Sequence, residues 1–273
     1  MPTMVSTDSA TTRDGTRLAY TLRSGGAARA RLVLVHSLAM TGAFWTPVAE
    51  RLAQDFDILT YDCRGHGESG KPAGPYDIRL FADDLADLLD HVGWKTAAVA
   101  GASMGGTVAL AFAAAYAGRT DALGLIDTTA WYGAEAPKNW AERAEKAKQE
   151  GLQALVGFQK TRWFTDNFRE QHPEVVDACV DFFLKNDINA FAATCHMLGA
   201  TDLRPALAGM SLPAAVMVGE EDYATPVAMA EVLHQGIAGA SLSIIGNARH
   251  LTPLEHPDVV ADGLKQLLTR ETR

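Results

Sequence analysis

The sequence predicts an α/β protein built on a mostly parallel, doubly wound sheet, with an all-helical cap inserted between two strands. Short apolar runs alternate with amphipathic stretches along most of the chain. The apolar runs are nearly continuous rather than alternating, which marks strands covered on both faces. From about residue 131 to 204 the alternation stops and no convincing strand appears. The α/β core is therefore expected over 1–130 and 205–273, and the cap over 131–204.

Near the front, TTRDGTRLAYTLR reads as a hairpin turning at Asp14 and Gly15. Buried strands are expected at 31–36 (RLVLVH), 56–62 (FDILTYD), 97–101 (AAVAG), 122–127 (ALGLID), 214–219 (AAVMVG) and 241–246 (SLSIIG). Helices are expected between them at 45–54, 78–92, 103–117, 227–236 and 257–270. In the second, Leu80, Phe81, Leu85, Leu88, Leu89 and Val92 recur at helical spacing. The insertion reads as helices at 138–151, 152–160, 173–185 and 189–198. An insertion at the carboxyl edge of a parallel sheet lies where ligands bind, which favours a lid over mere thickening of one layer.

With 273 residues, 48% hydrophobic and 21% charged, the chain has an ordinary globular composition. The net charge is −9 and no Lys/Arg cluster stands out, which argues against nucleic acid or an anionic membrane surface as partner. A small anionic substrate stays compatible, because one buried cation outweighs a diffuse field. The odd set of Cys63, Cys179 and Cys195 has no C-x-x-C spacing, so neither a disulfide framework nor a zinc site is expected, and a reducing cytoplasm fits. MPTMVSTDSATTRDG has no apolar signal region. The uncharged stretch 97–118 is long enough to span a bilayer, but it is weakly hydrophobic and broken by GASMGG.

Gly101-Ala102-Ser103-Met104-Gly105 matches G-x-S-x-G, follows an apolar strand and opens an Ala-rich helix. Glycines let strand and helix approach, and the serine hydroxyl is presented above a helix N-terminus, where oriented N–H groups stabilise an oxyanion. A serine hydroxyl needs a base. His250 follows the last strand, at the same sheet edge; His36 and His66 lie in earlier loops, His256 opens the last helix, and the other histidines fall in or beside helices. Asp222, in GEEDYATP one strand earlier, is the candidate to orient the ring, with Asp127 as its rival. The backbone N–H of Met104 and that of Leu38, in the loop after 31–36, are the candidates for an oxyanion hole. Gly65 to Lys71 imitates a phosphate loop, but Pro72 replaces the magnesium-binding hydroxyl residue. No metal-ligand spacing is present, and no cofactor is implied.

The order VHSLAMTGAFW, YDCRGHGESGKP, GASMGG, helical insertion, GEEDYATP and NARHLTPLEHP resembles the α/β-hydrolase superfamily over nearly the full length. Within it the chain is most similar to the 3-oxoadipate enol-lactonases. Their N-S-L-G loop is matched by His36, Ser37, Leu38 and Ala39, their D-T-R-G-H-G loop by 62–67, and their R-W-F-T motif by Arg162, Trp163, Phe164 and Thr165. Leu125 to Thr128 and Asp202 to Arg204 match their L-x-D-T and D-L-R motifs. Ala39 departs from the loop glycine, and His36 restores the pattern of broader esterases.

The resemblance implies a serine hydrolase that opens a small acidic enol-lactone through an acyl-enzyme. Such a substrate carries a free carboxylate, for which Arg162 is the candidate partner unless it is a solvated surface arginine. Trp131, Trp140 and Trp163 are candidates for the pocket wall or for plain packing of the cap. Two alternatives remain: a carboxylesterase or carbon–carbon bond hydrolase on another small substrate, and a non-catalytic binding protein on the same scaffold. Cofactor-free perhydrolases usually carry an aromatic where Leu38 stands. A homo-oligomeric state is left open.

Overall fold

The computed structural model describes residues 3–25 and 30–269. Strands β1 (Met4–Thr11) and β2 (Arg17–Ser24) form the expected hairpin, which begins earlier than its turn signal alone indicates. The chain then alternates through β3 (Arg31–Val35), α1 (Thr46–Leu52), β4 (Asp57–Tyr61), α2 (Ile78–His91), β5 (Ala97–Ala102), α3 (Met104–Ala115) and β6 (Thr120–Ile126). Six helices follow without a strand: α4 (Ala136–Glu150), α5 (Val156–Trp163), α6 (Asp166–Gln171), α7 (Pro173–Leu184), α8 (Ile188–Ala200) and α9 (Arg204–Leu207). The alternation resumes with β7 (Ala214–Gly219), α10 (Val227–Gly236), β8 (Ser241–Ile245), α11 (Thr252–Glu255) and α12 (Pro257–Thr269). Arg270, the last residue of the helix expected at 257–270, lies outside the described residues.

The strands form one sheet in the order β1-β2-β4-β3-β5-β6-β7-β8. β1, β2 and β4 pair antiparallel, and every pairing from β4 through β8 is parallel. Every residue of β5 and β7 is buried, as expected of strands with helices on both faces. β8 differs from the fully covered strand expected at 241–246. Among the described residues it is an edge strand, hydrogen-bonded to β7 alone, with Ile244 51% exposed. An apolar run by itself does not distinguish a central strand from an edge.

Helix α2 forms as its pattern dictates: Asp77 caps it by accepting the Leu80 N–H at 2.8 Å, and Leu85, Leu88 and Leu89 are fully buried. Each such side chain stabilises the layer by about 2 kcal/mol. Among the inserted helices, α6 has no strong apolar period and is set by its cap, Thr165, whose hydroxyl accepts the Phe168 N–H. A short bridge between Trp131 and Asp202 ties the two ends of the insertion together. The uncharged stretch 97–118 is a strand, a turn and a helix, and no described helix is long and apolar enough to cross a membrane.

Register brings the carboxyl ends of five parallel strands into line. Val35 sits beside Gly101, Ala102 beside Ile126, Ile126 beside Met217, and Gly219 beside Ile245. The residues that follow them therefore share one sheet edge. The tightest approach is between α3 and β3: a Cβ on Gly105 would overlap the Val35 carbonyl, and one on Gly101 would overlap the backbone of Gly105. Gly105→Ala is expected to lower the unfolding free energy in urea by about 3 kcal/mol through overpacking. Gly118→Ala, where a Cβ meets nothing within 4 Å, is the control and should change it by less than about 0.5 kcal/mol.

Candidate active site

Ser103 stands alone between β5 and α3 with φ 54° and ψ −119°. A non-glycine residue in that region costs about 1–3 kcal/mol and persists only when its surroundings over-determine it. Here they do. Its N–H donates to the Ile126 carbonyl at 2.9 Å, and its own carbonyl accepts from Gly106 N–H, Thr107 N–H and the Thr128 hydroxyl. The strained turn leaves the side chain pointing at the last loop, where Ser103 Oγ is 2.9 Å from His250 Nε2.

His250 Nδ1 lies 2.8 Å from Asp222 Oδ2. A carboxylate at that distance fixes the tautomer: Nδ1 carries the hydrogen and donates, and Nε2 is left to accept the serine proton. Asp222 is itself held by three other donors. Its Oδ1 accepts the N–H groups of Ala224 and Thr225, and its Oδ2 accepts the Thr225 hydroxyl at 2.8 Å. Burial alone would raise this carboxyl, but the imidazole beside it and the Thr225 donors outweigh that and hold it below the usual carboxylate range.

Asp127, the rival carboxylate, is fully buried and faces elsewhere. It accepts from Gly219 N–H, Thr252 N–H and the Thr252 hydroxyl. Burial, and then the negative charge of Asp222, push it well above the usual range. It ties the end of β7 to the residues after His250 and makes no hydrogen bond to the ring.

Met104 heads α3, so its N–H has no carbonyl one turn back. Among the described residues neither that N–H nor the Leu38 N–H has an acceptor. Ala39 adopts φ 61°, the left-handed conformation that a glycine would take more easily. His36 is a strut between loops: its Nδ1–H donates to the Ser37 carbonyl at 2.7 Å and its Nε2 accepts the Cys63 N–H at 2.9 Å. The His66 ring stands edge-on to it at 5.0 Å.

A cavity of about 540 Å³ is lined by Tyr132, Trp140, Arg143, Phe158, Arg162 and Ala224, among others. Ala224 connects it to the Asp222 loop. Trp140 and Arg162 thus face one cavity, whereas Trp131 and Trp163 are not among its lining residues. The Arg204 guanidinium covers the Trp131 ring at 3.5 Å. Trp163 packs edge-on to Phe183 and accepts the Leu251 N–H through its carbonyl, next to His250. Tyr132, Arg143 and Thr225 escaped the sequence reading. Thr225 had a usable signal, the Asx turn of an aspartate with donors two and three residues on; the other two depend on how the inserted helices pack. Among the described residues no cluster of His, Cys, Asp and Glu is arranged to hold a metal.

Serine, imidazole and carboxylate in this contact sequence can activate a hydroxyl for attack on an electrophilic carbon. A family model described as alpha/beta hydrolase fold matches residues 30–257. The chain is 30% identical to 3-oxoadipate enol-lactonase 2 of Acinetobacter baylyi over 90% of this chain and 91% of the relative. It superimposes on the enol-lactonase of Burkholderia xenovorans LB400 with a TM-score of 0.93 and 34% identity, covering 96% of this chain and 100% of the other. A malate-bound thermophilic esterase from Thermogutta terrifontis gives 0.89 and 29%, covering 96% and 98%.

The paired histidines beneath the site have a measurable consequence. Burial lowers His36 to about 4, and burial followed by repulsion from His36 lowers His66 to about 3. An ordinary imidazole titrates near 6.5, so the unfolded chain binds these protons first. Stability is full above that pH and falls as the pH drops toward the two folded values. The expected slope is about 1.4 kcal/mol per pH unit for each ring. Urea denaturation between pH 7 and 4 checks this, and His36→Gln or His66→Gln should each flatten the slope by one ring's share.

Proposed function

The chain belongs to the α/β-hydrolase fold family, and we propose that it is a serine hydrolase that opens a small acidic enol-lactone. The observation that carries this reading is the unbroken contact from Ser103 through His250 to Asp222, at 2.9 and 2.8 Å. Similarity to two enol-lactonases at 30% and 34% identity over nearly the whole chain supports the substrate class.

In this mechanism His250 Nε2 takes the proton as Ser103 Oγ attacks the lactone carbonyl. Asp222 holds the ring and offsets the imidazolium charge. The Leu38 and Met104 N–H groups receive the oxyanion; losing one such donor costs about 3 kcal/mol in other enzymes. The ring C–O bond then breaks and His250 returns its proton to the leaving oxygen. The resulting enol becomes a ketone, so the leaving group departs more easily than an alkoxide. Water, deprotonated by His250, cleaves the acyl-enzyme and restores Ser103. Arg162, facing the cavity next to the Asp222 loop, is the first candidate for the substrate's free carboxylate.

A second reading, hydrolysis of an acyclic carboxylic ester, is favoured by the likeness to the Thermogutta terrifontis esterase. Steady-state hydrolysis of 3-oxoadipate enol-lactone and of short p-nitrophenyl esters separates the two. Enol-lactonase activity predicts a kcat/KM at least tenfold higher on the lactone; no turnover of the lactone with turnover of the esters overturns it. Ser103→Ala, His250→Ala and Asp222→Asn are each expected to lower kcat by about 10⁴-fold or more, because triad members act as a unit.

A further inference from the structure

The cavity carries a charge imbalance that the triad does not use. Arg143 reaches into it from α4, with its guanidinium carbon 5.1 Å from the centre of the Trp140 ring and 5.9 Å from that of Phe191. Arg162 enters from the last turn of α5, 5.8 Å over Phe158. Among the described residues neither guanidinium has a carboxylate partner or a hydrogen-bond acceptor, and Arg143 Nε is buried without one. The two cations also repel: burial lowers Arg143 to about 10, and the charge of Arg162 pushes the same way. The lining adds Lys146 and one carboxylate, Glu142, which is exposed and faces Lys138 at 4.0 Å.

Partly buried like charges without counter-ions are costly. That two such groups converge here, in a chain of net charge −9, marks the cavity as built for an anion. Resting on aromatic faces, both guanidiniums keep their N–H edges free, which suits paired bonds to a planar carboxylate. Tyr132 links this charge to the chemistry. Among the described residues its buried hydroxyl has no hydrogen-bond partner; it lies in the vicinity of the Thr107 and Ser103 hydroxyls and within the field of Arg162.

We propose that Arg143 and Arg162 together form a carboxylate subsite, with the Tyr132 hydroxyl bonding the substrate between that subsite and Ser103. The substrate is then a small ester or lactone with a free carboxylate at the end remote from the bond that is cleaved. This rests on Ser103 being the nucleophile and adds a residue, Arg143, that selects among its substrates.

Binding is measured first on the Ser103→Ala protein, by isothermal titration with adipate and with its neutral dimethyl ester at low salt. The diacid is expected to bind at least tenfold tighter than the diester, and Arg143→Met and Arg162→Met should each remove most of that difference. No binding of adipate, equal binding of the diester, or a preference untouched by both substitutions overturns the proposal. On the protein with an intact triad, the ratio of kcat/KM for mono-p-nitrophenyl glutarate to that for its methyl ester should fall at least tenfold in Arg143→Met. It should recover in part in Arg143→Lys, which restores the charge without the planar fork. A ratio unchanged in both variants overturns the proposal. Because the titration needs no turnover, it stays informative if Ser103 is not the nucleophile, and the two failures are distinguishable.

Discussion

The molecule depends on one close approach. β3, β5 and the first turn of α3 meet with no room for a side chain at Gly101 or Gly105. That contact goes with the positive-φ turn at Ser103 and sets the first turn of α3 against the Val35 and His36 carbonyls at the end of β3. A wider turn would move the serine away from the sheet edge. The strain is local, and the hydrogen bonds of the Ser103 backbone with Ile126, Gly106, Thr107 and Thr128 counter it.

Placing His250 is a longer-range problem, since it lies 147 residues from Ser103 in the chain. Its loop is fixed from several sides. Asp127 holds Thr252, and Glu255 accepts the Arg249 N–H together with the N–H and hydroxyl of Thr165. The Arg249 side chain donates to the carbonyls of Thr161 and Phe164. The inserted helices are thus bonded directly to the loop bearing His250. They also reach the loop after β3, where Asn186 donates to the Ala39 carbonyl. Segments that bring their own side chains to the cavity therefore also set the position of the residues beneath it.

Much of this was legible beforehand because it rests on local rules. Apolar runs marked the strands, helical spacing marked α2, and a G-x-S-x-G segment between strand and helix marked Ser103. Asp222 and His250 were reachable because parallel strands must end at a common edge. The limits were equally physical. The exposed position of β8 follows from strand order, which no single run encodes. Short helices such as α6, α9 and α11 are set by a cap, as Thr165 caps α6, or by a proline in the first turn and their neighbours, rather than by a period. Arg143 sits in AERAEK, a charge pattern like that of any solvated helix, and only packing against α8 turns it inward over Phe191. Trp131 and Trp163 show the converse: aromatic residues flanking a site are placed by their contacts, one under Arg204 and the other against Phe183.

The account stands on a serine made nucleophilic by the imidazole beside it. Intact-protein and peptide mass spectrometry after exposure to a fluorophosphonate tests this directly. One adduct per chain, mapped to Ser103 and formed at a rate that collapses in His250→Ala, is the predicted result. An unlabelled protein, or an adduct on another residue that forms as fast without His250, would contradict it.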